Sequence, residues 1–245
     1  MKIRKILLAF VLSLVFCSNG FSQTAEEIVA KYIDAVGGKA QWDKFNTEKI
    51  TGKLSVSNMD FDFISSSKRP NSNYTEVTVQ GMKILQGYDG DIGWTVNPMT
   101  GSSKAQKMDD DELKSMRDRG IIGGELMNYK ELGSSVELVG KEDLEGTEVF
   151  NIKLTDKEGQ IMNFFIDANN YLLLKRNSKL IRAGKELKSE TYFSNYKQVE
   201  GVTAAYTIEA KLAGESSQSQ KILIDKIEFN VDIDDNIFKM PADDK

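Results

Sequence analysis

Residues 68–100, KRPNSNYTEVTVQGMKILQGYDGDIGWTVNPMT, decide the fold. The stretch reads as three short β-strands divided by turn signals. Arg69-Pro70 closes an incoming strand, because proline cannot donate to a ladder. Asp89-Gly90 is a hairpin signal between alternating segments. Trp94 sits inside the next strand, and Asn97-Pro98 stops it.

Working outward, the same period of two continues on both sides. Ile50, Gly52, Leu54 and Val56 alternate with Thr51, Lys53, Ser55 and Ser57, and Met59, Phe61 and Phe63 alternate with Asp60 and Asp62. Val77 and Val79 extend that face. A second series follows residue 135, with segments 149–155, 160–167, 171–181, 186–197, 202–213 and 218–231. Glu145-Gly146, Glu158-Gly159, Asn169-Asn170, Ala183-Gly184 and Glu200-Gly201 mark its turns. Such alternation means antiparallel strands with one apolar and one wet face. Roughly eleven strands in meander order imply one long sheet that must curl. The expected class is therefore α+β, mainly antiparallel β: a curled sheet forming an incomplete barrel.

Two helical regions interrupt the strands. Thr24 precedes Glu26 and Glu27, and Ala25, Ile28, Val29, Tyr32 and Val36 fall at helical spacing before Gly37-Gly38. A short turn with Trp42 and Phe45 leads into the first strand. An insertion over about residues 104–132 opens on Asp109, Asp110, Asp111 and Glu112. Gly120, Gly123 and Gly124 divide it into two short helices. Nothing Pro-, Gly- or Ser-rich splits the chain, so residues 23–245 are expected to form one domain.

The first 22 residues read as a targeting segment. Lys2, Arg4 and Lys5 precede an apolar run from Ile6 to Phe16, then small and polar residues up to Ser22. The run is too short for a bilayer core, which needs about 20 helical residues. Cleavage is expected between Ser22 and Gln23, giving a periplasmic protein. Phe16 before Cys17 disfavours lipobox processing, although lipidation of that cysteine stays an alternative. Without the segment there remain 29 basic and 37 acidic side chains, a net of −8. An acidic chain with no dense Lys/Arg cluster is a poor nucleic-acid binder.

The 245 residues contain no histidine and one cysteine. This removes the usual general base near neutrality and every Ser-His or Cys-His pair. No catalytic residue, metal site or cofactor is expected. The Asp109–Glu112 acidic run reads as a helix cap and Asp89-Gly90-Asp91 as a turn, lacking the other ligands of a calcium loop.

Taken together, the ordered motifs resemble the LolA-like family of periplasmic outer-membrane lipoprotein-sorting proteins. The resemblance rests on the RP strand end, the DG hairpin with Trp94, the insertion, FFIDANNYLLLKR (residues 164–176), and a finish carrying Asn230, Phe238 and Pro241. Tyr74 stands where relatives often carry tryptophan. The resemblance implies a half-barrel whose concave face holds acyl chains under a helical lid. The cavity wall would comprise Leu54, Phe61, Phe63, Val77, Ile84, Trp94, Met116, Leu126, Met127, Phe164 and Leu172. Arg69 matches the family arginine that contacts the lid, and so is expected to latch it. From the residues alone, the same side chains also fit an ordinary filled core. The implied function is a monomeric carrier of lipoprotein acyl chains or other lipid, between an inner-membrane donor and an outer-membrane acceptor. A protein-binding sensor of envelope stress, using the same concavity, is the alternative.

Overall fold

The computed structural model describes residues 23–182, 185–212 and 219–242. The expected targeting segment, with Cys17, and the turn at Ala183-Gly184 lie outside the described residues. Helix α1 (Ala25–Ala35) starts on a capping box: the Thr24 hydroxyl accepts from the Glu27 N–H, and the Glu27 carboxylate accepts from the Thr24 N–H. Its apolar stripe of Ala25, Ile28, Val29 and Tyr32 is buried, as the spacing requires. A single turn, α2 (Lys39–Trp42), follows.

The chain then builds thirteen strands in one sheet. The first six are β1 (Thr47–Val56), β2 (Met59–Lys68), β3 (Ser72–Val79), β4 (Met82–Tyr88), β5 (Gly93–Asn97) and β6 (Ser102–Lys107). Two helices come next, α3 (Asp110–Arg119) and α4 (Gly124–Met127). The remaining strands are β7 (Ser135–Leu144), β8 (Thr147–Thr155), β9 (Ile161–Asp167), β10 (Leu173–Arg182), β11 (Lys185–Val199), β12 (Val202–Leu212) and β13 (Gln220–Phe229).

The sheet order, β6-β5-β4-β3-β2-β1-β13-β12-β11-β10-β9-β8-β7, corrects the single meander expected from sequence. Two meanders, of six and seven strands, meet where β1 pairs with β13. The expected eleven strands omitted β6 and β7. Strand β6 (SSKAQK) has no apolar alternation, and it occupies ground assigned to the helical insertion, whose first helix begins at Asp110. Strand β7 carries only Val136 and Leu138 as a recognisable pattern before Gly140 breaks its register with β8. The sheet is not closed: β6 and β7 are its two edges, and α3 and α4 lie on the connection between them.

Residues of α1, α2, α4 and the inner face of β8–β13 form the main core. Ile28, Trp42, Leu126, Ile152, Phe164 and Ile227 are among its buried members. At the joint, the ladder shifts register between Thr51 and Gly52. A Cβ on Gly52 would stand 2.1 Å from the Leu223 carbonyl oxygen, so only glycine allows this approach. Asn230 locks the end of the joint. Its N–H donates to the Thr47 carbonyl at 2.9 Å. Its side chain accepts from the Asn46 N–H at 2.8 Å and donates to the Lys44 carbonyl at 3.1 Å. Its φ of 53° lies in the left-handed region, which asparagine tolerates better than most residues. Asn230→Ala removes both side-chain bonds and that tolerance. It should cost about 2 kcal/mol in urea unfolding, with the m-value unchanged.

Candidate functional site

Strand pairing fixes which side chains share a face, since a ladder without register breaks keeps opposed residues on the same side. From β1 through β4 the ladder has no break. Glu48, Ser67, Asn73 and Tyr88 therefore form one transverse row on the inner face, which Gly93 of β5 completes. Ile50, Ser65, Thr75, Gln86 and Thr95 form the next row. Gly52, Phe63, Val77 and Ile84 form a third, and Leu54 with Phe61 begins a fourth. The inner wall thus changes character along its strands, from mainly polar to apolar.

Helix α3 covers the polar end. Asn73 Nδ2 donates to the Met116 carbonyl at 2.8 Å, and Met116 packs with Tyr88, Met108 and Leu113 in a small cluster apart from the main core. The helix begins with a reciprocal cap between Asp109 and Glu112, so the acidic run acts as the cap expected of it. Its far end at Gly120 lies so near the β2–β3 turn that a Cβ would fall 2.2 Å from the Asn71 carbonyl oxygen. Arg117 of α3 meets Glu158 in the β8–β9 turn at 3.0 Å, across the open side of the sheet.

Helix α4 is different. Its Leu126 and Met127 are buried in the main core, and Asn128 ties its first turn by donating to the Gly124 carbonyl at 2.7 Å. Glu125 is buried and receives Arg176 Nη1 of β10 at 2.9 and 3.2 Å on its two oxygens. The two halves of the insertion are thus held by unequal amounts of apolar contact.

The apolar rows beyond α3 are only partly covered. Leu54, Phe61, Val77 and Ile84 are half-buried, whereas Phe63 beside them is buried. At the same rim, Met59, Met82 and Met99 stand exposed in or beside the β1–β2, β3–β4 and β5–β6 connections. Inside the concavity, burial pushes the Glu48 carboxyl up to about 7 from an ordinary 4.5. Burial also lowers the proton affinity of the Arg119 guanidinium, with the positive Arg176 as a second cause. Both residues nevertheless keep accessible surface, Glu48 being half-buried and Arg119 exposed. Glu48 stands on the inner, concave face, in line with Ser67, and Arg119 reaches that face at Gln86.

The wall residues expected from sequence divide into four groups. Leu54, Phe61, Phe63, Val77 and Ile84 share the inner face of the first meander. Leu126, Met127 and Phe164 belong to the main core, with Leu172 packed against it. Met116 is carried by α3 itself and packs on Tyr88 and Met108. Trp94 is on the opposite face: it pairs with Gly87, one residue out of phase with the inner rows, and its indole N–H donates to the Phe238 carbonyl at 2.8 Å. The C-terminal segment, not a cavity, receives it.

Arg69, expected to latch the lid, finds its carbonyl acceptors outside the 104–132 insertion. Its Nε donates to the Phe45 carbonyl at 2.7 Å and its Nη2 to the Trp42 carbonyl at 3.2 Å, so it pins the turn after α2. Sequence reading missed Glu48, Gln86, Arg119, Glu125 and Arg176. Strand parity with Ile50 and Ile84 could have flagged Glu48 and Gln86.

The Glu48 shift fixes a sign. Between about pH 4.5 and about 7 the folded chain keeps a proton that the unfolded chain has lost, so this group makes stability fall as pH rises through that window. Glu48→Gln removes the penalty. The variant should match the parent near the lower end of the window and exceed it above the upper end by at most about 3 kcal/mol. Thermal unfolding across that range checks it; a difference independent of pH contradicts it.

The comparisons agree with this architecture. A family model described as "uncharacterized protein" matches residues 74–242, more than half of the chain. No curated protein matches. Among solved structures, a DUF1329 family protein from Desulfovibrio piger is 13% identical with a TM-score of 0.60, covering 89% of this chain and 98% of that one. A LolA superfamily protein from Nitrosomonas europaea is 14% identical with a TM-score of 0.58, at the same coverage of 89% and 98%. A putative outer membrane lipoprotein-sorting protein domain from Vibrio parahaemolyticus is 18% identical with a TM-score of 0.56, covering 86% and 94%. At such identities these likenesses speak for fold alone. The chain belongs to the family whose model spans residues 74–242, and its two-meander unclosed sheet is the LolA-like fold.

Proposed function

We propose that the protein is a periplasmic carrier that seats an acyl chain against the inner face of β1–β4. One observation carries this reading: Leu54, Phe61, Phe63, Val77 and Ile84 share a concave face whose far rows α3 does not cover. A half-exposed apolar patch inside a curved sheet is a costly surface unless something occupies it. Each methylene buried there contributes about 0.8 kcal/mol, so a chain of ~16 carbons brings on the order of 12 kcal/mol before the costs of ordering.

Release requires a cover that yields more readily than the core. Helix α3 meets that need, because its apolar support is the small Tyr88–Met108–Met116 cluster, whereas α4 is set in the main core. In this reading α3 is the lid and α4 its anchor. Arg69 acts on the lid only indirectly, by fixing the turn that carries Trp42. The exposed methionines at the rim suit a mouth that meets varied apolar partners, such as a membrane donor and acceptor. Among the described residues no helix is long and apolar enough to cross a membrane. The periplasmic assignment rests on the sequence of residues 1–22.

Native mass spectrometry of the protein purified from its own envelope, followed by solvent extraction, tests the proposal. The expected result is a bound acyl lipid in the parent protein. Val77→Glu, which places a charge in the apolar rows at a half-buried site, should lose at least about 90% of it while keeping its circular dichroism. Repeated absence of lipid from the parent contradicts the carrier.

A further inference from the structure

We propose that the ligand is an anionic amphiphile, whose charged head sits between Arg119 and Arg176 while its chain lies along the apolar rows. The proposal rests on the carrier reading and adds the chemistry of the head. Two independent observations carry it. The first is the gradient along the inner wall. The row Ile50–Ser65–Thr75–Gln86–Thr95 is mainly hydroxyl and amide, and the next holds Phe63, Val77 and Ile84. One strand pair thus offers hydrogen-bonding groups at one depth and hydrocarbon at the next. A purely apolar cargo would leave those polar groups to water; a molecule with a head and a tail satisfies both parts.

The second observation is a pair of guanidiniums on two elements that pack together, α3 and β10, one of them reaching the polar row at Gln86. Arg119, on the last turn of α3, donates to Gln86 Oε1 at 3.4 Å, a long bond that leaves most of its fork without a partner among the described residues. Arg176 projects from β10, on the other meander, and gives Nη1 to Glu125; among the described residues its buried Nε has no partner. A guanidinium has five N–H donors, and burying one without an acceptor costs on the order of 1–3 kcal/mol. Glu125 neutralises one of the two charges, so the pair with its carboxylate carries one net positive charge. Like charges close enough to perturb each other are stabilised by an anion between them, and a planar fork recognises carboxylate or phosphate in a bidentate manner. Glu48 stands on the same inner face one row away, and its raised proton affinity keeps its opposing charge partial near neutrality.

Because Arg119 is on α3, an anion bridging it to Arg176 ties the lid to the far meander. Loading would then hold α3 down, and loss of the head contact would free it.

Isothermal titration of the delipidated protein at about pH 7.5, where a carboxylic acid head is ionised, tests this with three probes: laurate, dodecanol and acetate. Laurate should bind at least about tenfold more tightly than dodecanol, a difference one charge-assisted contact readily supplies. Acetate, the head without the chain, should not bind measurably. In Arg119→Gln the preference for laurate should fall to within about twofold, with dodecanol affinity unchanged; Arg176→Gln should act in the same direction. Equal binding of laurate and dodecanol by the parent overturns the anionic head and leaves the carrier reading intact. Laurate preference retained in both variants overturns its placement. Acetate binding as tightly as laurate shows a simple anion site instead. Failure of both laurate and dodecanol to bind overturns the carrier reading as well. Unchanged dodecanol affinity in Arg119→Gln separates a lost contact from a lost fold.

Discussion

Strand β1 pairs on one side with its sequence neighbour β2 and on the other with β13, from the far end of the chain. Every other ladder in the sheet joins consecutive strands. That one non-local pairing sets the remaining geometry. It places the sheet's two edges at β6 and β7, in the middle of the sequence, so the segment between them must travel from edge to edge. The insertion passes over the concave side and leaves part of it uncovered. Gly52 and Asn230 serve this joint: one lets the backbones approach at the register shift, and the other ties the ladder's end to the turn before β1.

From the joint outward, apolar material is distributed unequally. The second meander receives α1, α2 and α4 and becomes the main core. The first meander receives only α3, which spends its apolar side chains at the Tyr88 end. Leu54, Phe61, Val77 and Ile84, around the buried Phe63, therefore stay half-buried. The polar rows under α3 satisfy themselves partly through that helix, as Asn73 does with the Met116 carbonyl. The carrier proposal and the anionic-head proposal use different parts of this wall. The first needs only the apolar rows; the second needs the polar row and the two arginines.

Much of the fold was legible in local pattern. The α1 cap and stripe follow from Thr24, Glu27 and the helical spacing of Ile28, Val29 and Tyr32. The alternation that set Phe61, Phe63 and Val77 on one face agrees with the ladder from β2 to β3. What failed is physically instructive. Strand β6 is polar because it is an edge, so it carries no alternation to read. Trp94 is apolar and lies in a strand, but one step of register puts it on the other face, under a C-terminal segment whose return no local pattern announces. Arg69 was expected to reach the lid; it bonds instead to the turn after α2, a turn set by tertiary packing of Trp42 and Phe45 against Phe229. The arginine pair was illegible for the same reason: Arg119 and Arg176 are 57 positions apart and are neighbours because α3 packs against β10.

The central claim is that an acyl chain occupies the inner face of β1–β4 rather than some other surface. The most direct test is a crystal structure with a terminally brominated fatty acid, located by the anomalous scattering of bromine. The account predicts a bromine peak beside Phe61, Val77 and Ile84, with the chain continuing toward α3. A peak on the face that carries Trp94, or an inner face filled by α3 with the ligand elsewhere, would contradict it.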